Sequence, residues 1–268
     1  MWTKDLFGTD KPVIGMVHLH AMPTDPKYDP NEGVEGIVEA AKKDIIALQE
    51  AGFDGLLFCN EFAIPYTKNT RIVTVATYAR VIGELKSIIK VPFGITYASN
   101  VYCAFDIAAA TGANFVRAHY HDTTAGVFGM SNPDPGDVER HRCYVGCKDI
   151  PVLQAVIPEG TEMVAPRPIK QVVKTLCFNV NPDGLLIYST NPGADIDTEM
   201  VELCKQATDK PILASNGVKP NTVANILAVA DGCIVGTGVK YDGNFYNPVD
   251  PARAKELMEN ARKVRGDK

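Results

Sequence analysis

Eight short stretches of this chain, 13–19, 55–59, 92–97, 114–118, 152–156, 184–188, 211–214 and 233–235, are apolar on both faces. A strand with one wet face alternates apolar and polar residues. These do not, so both faces need cover, as in a parallel sheet clothed by helices. Amphipathic helical stretches lie between them, clearest at 33–51, 72–89, 101–111, 169–176, 197–208 and 221–229. A last helix over 251–264 opens with Asp250 as N-cap and Pro251 at its first position. Ala51-Gly52, Thr111-Gly112 and Asp231-Gly232 each close a helix just before a strand. A doubly wound sheet is the rival architecture. Eight evenly spaced units predict an α/β chain folded as a single-domain (β/α)8 TIM barrel over 1–268.

The last two units carry a second signal. Pro211-Ile212-Leu213-Ala214-Ser215-Asn216-Gly217-Val218 and Ala230-Asp231-Gly232-Cys233-Ile234-Val235-Gly236-Thr237 each read as a strand ending in a small-residue turn. In barrels of this kind the turns after the seventh and eighth strands form a phosphate pocket. Main-chain amides near Gly217 and Gly236, with a helix N-terminus, attract an anion without any Lys or Arg. The plainer reading is that both glycines only permit tight turns. Lys240 follows the second turn and is placed to meet a phosphate or its sugar.

Composition excludes several classes. The chain has 268 residues, is 46% hydrophobic and 22% charged, and has a net charge of -5. No run of Lys or Arg stands out, which argues against nucleic acid or an acidic membrane as partner. No apolar run reaches the ~18 residues of a membrane span, and no signal-peptide pattern opens the chain. Seven cysteines are odd in number and scattered, with Cys59, Cys103, Cys177, Cys204 and Cys233 in apolar surroundings. That usage fits a reducing compartment, and a cytoplasmic protein is expected. His141, Cys143 and Cys147 have poor helical spacing for a metal. The irregular stretch 119–137, rich in Gly and Pro, follows the fourth strand and would overhang the barrel mouth as a lid.

Several motifs are shared with a known group. They are Ile14-Gly15-Met16-Val17-His18-Leu19 with Met22-Pro23 and Tyr28, Asn60-Glu61, Ala113-Asn114-Phe115-Val116-Arg117, and Arg140 with Arg142. The most specific is the run from Ala230 to Thr237, followed by Lys240-Tyr241-Asp242-Gly243 and Pro248-Val249-Asp250. On these the chain resembles the BtpA/SgcQ family of (β/α)8-barrel proteins, nearly end to end. The resemblance implies the barrel. The family name comes from a role in photosystem I accumulation, while other members look like small-molecule enzymes from carbohydrate gene clusters. The chain departs from the family pattern at Ala98-Ser99-Asn100, at Gln154-Ala155-Val156-Ile157-Pro158 and at Ser189-Thr190-Asn191-Pro192-Gly193. These are strand ends, where barrels do chemistry.

At those ends stand the candidate residues. His18 closes the first strand, Asn60 and Glu61 follow the second, and Arg117, His119, His121 and Asp122 lie at or past the fourth. Alternation puts Arg117, His119 and His121 on one side. Glu61 is read as a general acid/base, with Arg117, His119 and His18 polarising or orienting the reacting group. A salt bridge between Arg117 and Glu61 is the plainer alternative. The segment from Asn60 to Tyr66 is also similar to the acid-bearing loop of tryptophan synthase α-type barrels. Asn60, Asn100 and Ser189 are expected to fix hydroxyls, and Asn216, Gly217, Val218, Gly236, Thr237 and Lys240 to hold phosphate. No organic cofactor is called for; a divalent metal on His119, His121 and Glu61 is the alternative the donors leave open. The expected activity is isomerisation or bond cleavage by proton transfer on a small phosphorylated sugar or nucleoside. A non-catalytic assembly factor and a metal-dependent hydrolase are the rivals, and a homo-oligomer stays open.

Overall fold

The computed structural model describes residues 2–126, 129–188 and 196–266. Its elements in chain order are α1 (Trp2–Phe7), β1 (Val13–His18), α2 (Gly33–Ala51), β2 (Gly55–Cys59), α3 (Ile72–Leu85), β3 (Phe93–Ile95), α4 (Val101–Thr111) and β4 (Phe115–Ala118). There follow β5 (Thr124–Gly126), β6 (Gly129–Ser131), α5 (Pro135–Tyr144), β7 (Val152–Ala155), β8 (Thr161–Met163), α6 (Ile169–Asn179) and β9 (Gly184–Ile187). The chain continues through α7 (Thr198–Lys205), β10 (Ile212–Ala214), α8 (Val223–Val229), β11 (Cys233–Val235) and α9 (Pro251–Arg265). Strands β1, β2, β3, β4, β7, β9, β10 and β11 are parallel and close into an eight-stranded barrel, β11 pairing with β1. The eight strands read from the sequence are these eight. The fold is the (β/α)8 barrel.

A recurring clamp sets the N-terminal rim. The Asp54 carboxylate accepts the Val13 amide at 2.7 Å, Asn114 Oδ1 the Phe93 amide at 3.0 Å, Asp183 the Val152 amide at 2.8 Å and Asp231 the Ile212 amide at 3.0 Å. Each clamp residue stands just ahead of one strand or its opening glycine, and holds the first amide of the strand before it. That amide has no ladder partner, so the side chain supplies one. Asp54 also pairs with Arg265 of α9 at 2.6 Å, tying the last helix beneath the barrel.

Alternation then decides what fills the interior. Ile14, Met16, Leu57, Cys59, Phe115, Leu153, Leu186, Leu213 and Ile234 form one buried cluster inside the barrel, and Phe7 of α1 joins it from below. The Phe7 ring meets Phe115 edge-on at 5.5 Å, and Trp2 donates to the Asp183 carbonyl at 2.8 Å. This short helix, which no sequence pattern marked, plugs the floor. The larger cluster lies between the outer strand faces and the helices.

Three differences from the sequence reading have local causes. The stretch 119–137 is not irregular throughout: β5 pairs antiparallel with both β6 and β8, and α5 begins at Pro135 with Asp134 as its cap. Alternation fails as a signal in strands of three residues. The 72–89 stretch ends its α-helix at Leu85 and finishes in a 3-10 turn. Gly52 and Gly112 cap their helices in the left-handed conformation, whereas the cap of α8 is Ala230, with Gly232 pressed against the Pro12 carbonyl instead.

Gly94 of β3 lies opposite Phe115 of β4, and a Cβ there would stand 2.4 Å from the Phe115 ring. Gly94→Ala is therefore expected to destabilise the protein by about 1–3 kcal/mol, the usual penalty of overpacking. Adding Phe115→Leu should recover part of that loss. Urea unfolding of the single and double variants measures it, and strictly additive losses would contradict the contact.

Candidate functional site

The interior changes character along its axis. Below lie Leu57, Leu153, Leu213 and Phe115; above them stand Cys59 and Arg117, and at the mouth Glu61 and His119. A cavity of about 490 Å³ opens on the β2, β3, β4, β7 and β9 side of the mouth. That volume falls within the range of small-molecule sites. The β5–β6 hairpin roofs it through Thr124, Gly129 and Ser131, and Thr161 of β8 adds to the wall. Lys68 reaches from the loop after β2 to the Met130 carbonyl and ties that roof down.

Arg117 follows Phe115 by two residues and so points along the same interior face. Among the described residues its NH groups reach only sulfur, Met16 Sδ at 3.7 Å and Cys59 Sγ at 4.0 Å. It forms no ion pair within 4 Å among the described residues, so the expected salt bridge with Glu61 is not made. Burial opposes its charge, but Tyr188, Cys59, Glu61 and Tyr66 around it raise its pKa, and it stays a cation.

Glu61 sits in the ring of these groups. Burial works to raise its carboxyl, yet His18, the Cys59 thiol bonded to it, Arg117 and Lys240 together hold it below the ordinary range. Tyr66 donates to the Glu61 main-chain carbonyl at 3.1 Å. A second carboxylate, Glu159, lines the same cavity and is shifted the other way: burial raises it, and the charge of Glu61 adds to that despite a bond from Asn216 Nδ2 at 2.9 Å. Two carboxyls in one cavity, pushed apart in acidity, can divide the roles of base and acid. The sequence reading of the fifth strand end stopped at Pro158 and missed Glu159. The only available signal was a lone acid after Pro in an expected strand-end loop.

His18 and His121 are buried and His119 is partly so. His119 Nδ1 bonds the Ala155 carbonyl at 3.2 Å, which fixes its proton there and leaves Nε2 bare, buried and without a partner. Burial, with the neighbouring His121, brings its pKa down to about 3. His121 is engaged at both nitrogens, by Asp122 at 3.0 Å and by the Ala155 carbonyl at 2.8 Å, and Arg167 pairs with the same Asp122. Those ring nitrogens are spent, so His121 does not join His119 and Glu61 as a ligand set. Among the described residues no group of three or more His, Cys, Asp or Glu is arranged to hold a metal ion. His18, lowered to about 4 chiefly by burial, packs against Phe62 and Phe245, with its Nδ1 unpartnered.

Of the expected hydroxyl and phosphate contacts, some face the site and some are internal. Asn60 is buried, its Oδ1 accepting the Ala98 amide at 2.8 Å, so it joins the ends of β2 and β3. Asn100 lines the cavity but caps α4 by accepting the Cys103 amide at 3.4 Å. Ser189 lies outside the described residues. Lys240, expected to meet a phosphate, has a buried amine that donates to the Phe245 carbonyl at 2.7 Å and lies 4.9 Å from the Phe62 ring. Burial lowers its pKa to about 8. The two turns themselves are packed together, since a Cβ on Gly238 would collide with the Val218 carbonyl. The amides of Gly217, Val218, Thr237 and Gly238 have no acceptor among the described residues.

Comparison with known proteins agrees with this architecture. The putative sgc region protein SgcQ of Escherichia coli is 36% identical over 98% of this chain and 99% of its own length. Among solved structures, Mycobacterium tuberculosis tryptophan synthase superposes with a TM-score of 0.61 at 15% identity, covering 94% of this chain and 93% of the other. Thiamine phosphate pyrophosphorylase from Pyrococcus furiosus gives 0.57 at 14%, covering 95% and 96%. At such identities the structures share the fold alone. Residues 9–263 match the BtpA family, and the chain belongs to it.

Proposed function

We propose that the protein is an enzyme acting on a small phosphorylated metabolite, a sugar or nucleoside-type phosphate, by proton transfer that isomerises it or cleaves one of its bonds. The observation that carries this reading is the set of amides at Gly217, Val218, Thr237 and Gly238 that meet no acceptor among the described residues, near a mouth that holds two carboxyls of opposed acidity. Main-chain amides of this kind favour an oxyanion. The shared fold with thiamine phosphate pyrophosphorylase supports it by analogy.

Each residue then has a stated task. Phosphate rests on the two turns, and its binding energy holds the reacting carbon in place. Glu61, ionised, takes a proton from the substrate. Glu159, whose raised pKa keeps it protonated further toward neutrality, returns one. Neutral His119 accepts a hydrogen bond from a substrate hydroxyl at Nε2. The cysteines are free thiols, which suits a reducing, cytoplasmic setting, and no described helix is long and apolar enough to cross a membrane.

Glu61→Gln keeps the shape and removes the base; turnover in a screen of sugar and nucleoside phosphates should fall about 10²–10⁴-fold. Unchanged turnover of any substrate found would remove Glu61 from the mechanism. Gly217 has φ +68°, a conformation Asn and Asp tolerate better than other side chains. Gly217→Asp should therefore abolish binding of inorganic phosphate that Gly217→Asn only weakens, as read by calorimetry. Equal binding by both variants counts against the cradle.

The pH dependence of stability follows from the histidines. Folded His18 and His119 titrate near 4 and 3, below the ordinary 6.5, so on acidification the unfolded chain binds protons first. Stability present above pH 6.5 is expected to fall as the pH drops toward 4 and then 3. His119→Gln should flatten the lower part of that decline in urea midpoints. A midpoint indifferent to pH over this window would contradict the buried, neutral imidazoles.

A further inference from the structure

Arg117 is the one cavity-lining cation that the protein leaves without an oxygen acceptor among its described residues. A guanidinium carries five N–H donors, and thioether and thiol sulfur are weak acceptors for two of them. Buried cations are ordinarily paired with a carboxylate, because an unpaired one forfeits its hydration. Glu61, the carboxylate whose charge Arg117 feels, stays beyond ion-pair distance. Two further polar atoms on the same cavity are also unmet: Thr124 Oγ1, on a residue 1% exposed, and His119 Nε2. A charged donor, a hydroxyl and a bare imidazole nitrogen thus line one cavity with no oxygen or nitrogen partner among the described residues.

We propose that Arg117 forms a second anion subsite at the base of the cavity, taking a carboxylate or phosphate group at the reacting end of the substrate. Taken with the reading in which the Gly217 and Gly236 turns hold phosphate, on which this step rests, the substrate is a hydroxylated chain with an acidic group at each end. The guanidinium offers two parallel N–H groups to the oxyanion, the bidentate geometry Arg favours. His119 Nε2 accepts from a neighbouring hydroxyl. The acidic group gives the guanidinium the oxygen acceptor that the described residues do not supply, and Glu61 remains free to act as base.

The test uses two probes of equal length, 6-phosphogluconate with a carboxylate and glucitol 6-phosphate with a hydroxymethyl in its place, and gluconate as the phosphate-free control. Calorimetry on the wild-type chain should find 6-phosphogluconate at least about tenfold tighter than glucitol 6-phosphate. Arg117→Met should abolish that ratio and Arg117→Lys retain part of it, while Gly217→Asp should weaken both phosphates and leave the ratio intact. In unsubstituted, nitrogen-15-labelled protein the Arg117 Nε–H resonance should shift on adding gluconate. Equal affinity for both phosphates overturns the subsite and leaves the phosphate cradle standing. Gluconate binding that depends on Arg117, with no effect of Gly217→Asp on any probe, keeps the subsite and removes the cradle. No Arg117-dependent binding of any probe, with the Nε–H resonance unmoved, overturns the proposal outright.

Discussion

The clamp at the N-terminal rim is the constraint on which the rest depends. Asp54, Asn114, Asp183 and Asp231 each take the first amide of the strand before them, linking β1 to β2, β3 to β4, β7 to β9 and β10 to β11. A slip of one residue in a strand would turn every inward side chain outward. With the starts of the strands pinned, parity carries Phe115 into the floor, Arg117 above it and His119 into the mouth. The carboxylate that holds β1 also anchors α9 through Arg265, so the last helix shares in the same lock.

Above that lock the interior passes from apolar to charged within a few residues. The gradient seats charged groups above a sealed apolar floor. Phe7, Phe115 and the leucines fill the lower end, and the cavity beside Arg117 and Glu61 opens at the mouth. Weak screening there lets a handful of groups move one another's acidity, and Glu61 and Glu159 are driven in opposite directions. The β5–β6–β8 sheet narrows the mouth and shields the cavity further.

Lys240 and Asn60 show how a residue type at a strand end can mislead. Both are polar, both follow barrel strands, and both are consumed by the scaffold. Lys240 is enclosed by Phe62 and Phe245 and satisfied by the Phe245 carbonyl, and Asn60 secures the start of the loop after β3. The strand-end position predicts proximity to the mouth. It does not predict which way a side chain turns once the loops have packed.

The sequence by itself determined the barrel, because eight stretches apolar on both faces admit few ways of being covered; alternation put Arg117 and His119 on one inward side, and Glu61 was placed near the mouth by following the second strand. It also marked Asp250, Pro251, Gly52 and Gly112 as helix ends, since capping is a local matter of one or two residues. Only the tertiary structure decided that α1 plugs the floor, that β5, β6 and β8 form a separate sheet, and that Glu159 lines the same cavity as Glu61. It also decided that Arg117 has sulfur neighbours and no carboxylate within 4 Å. These depend on contacts between segments tens of residues apart, and on distances of a few ångström that a linear pattern does not encode.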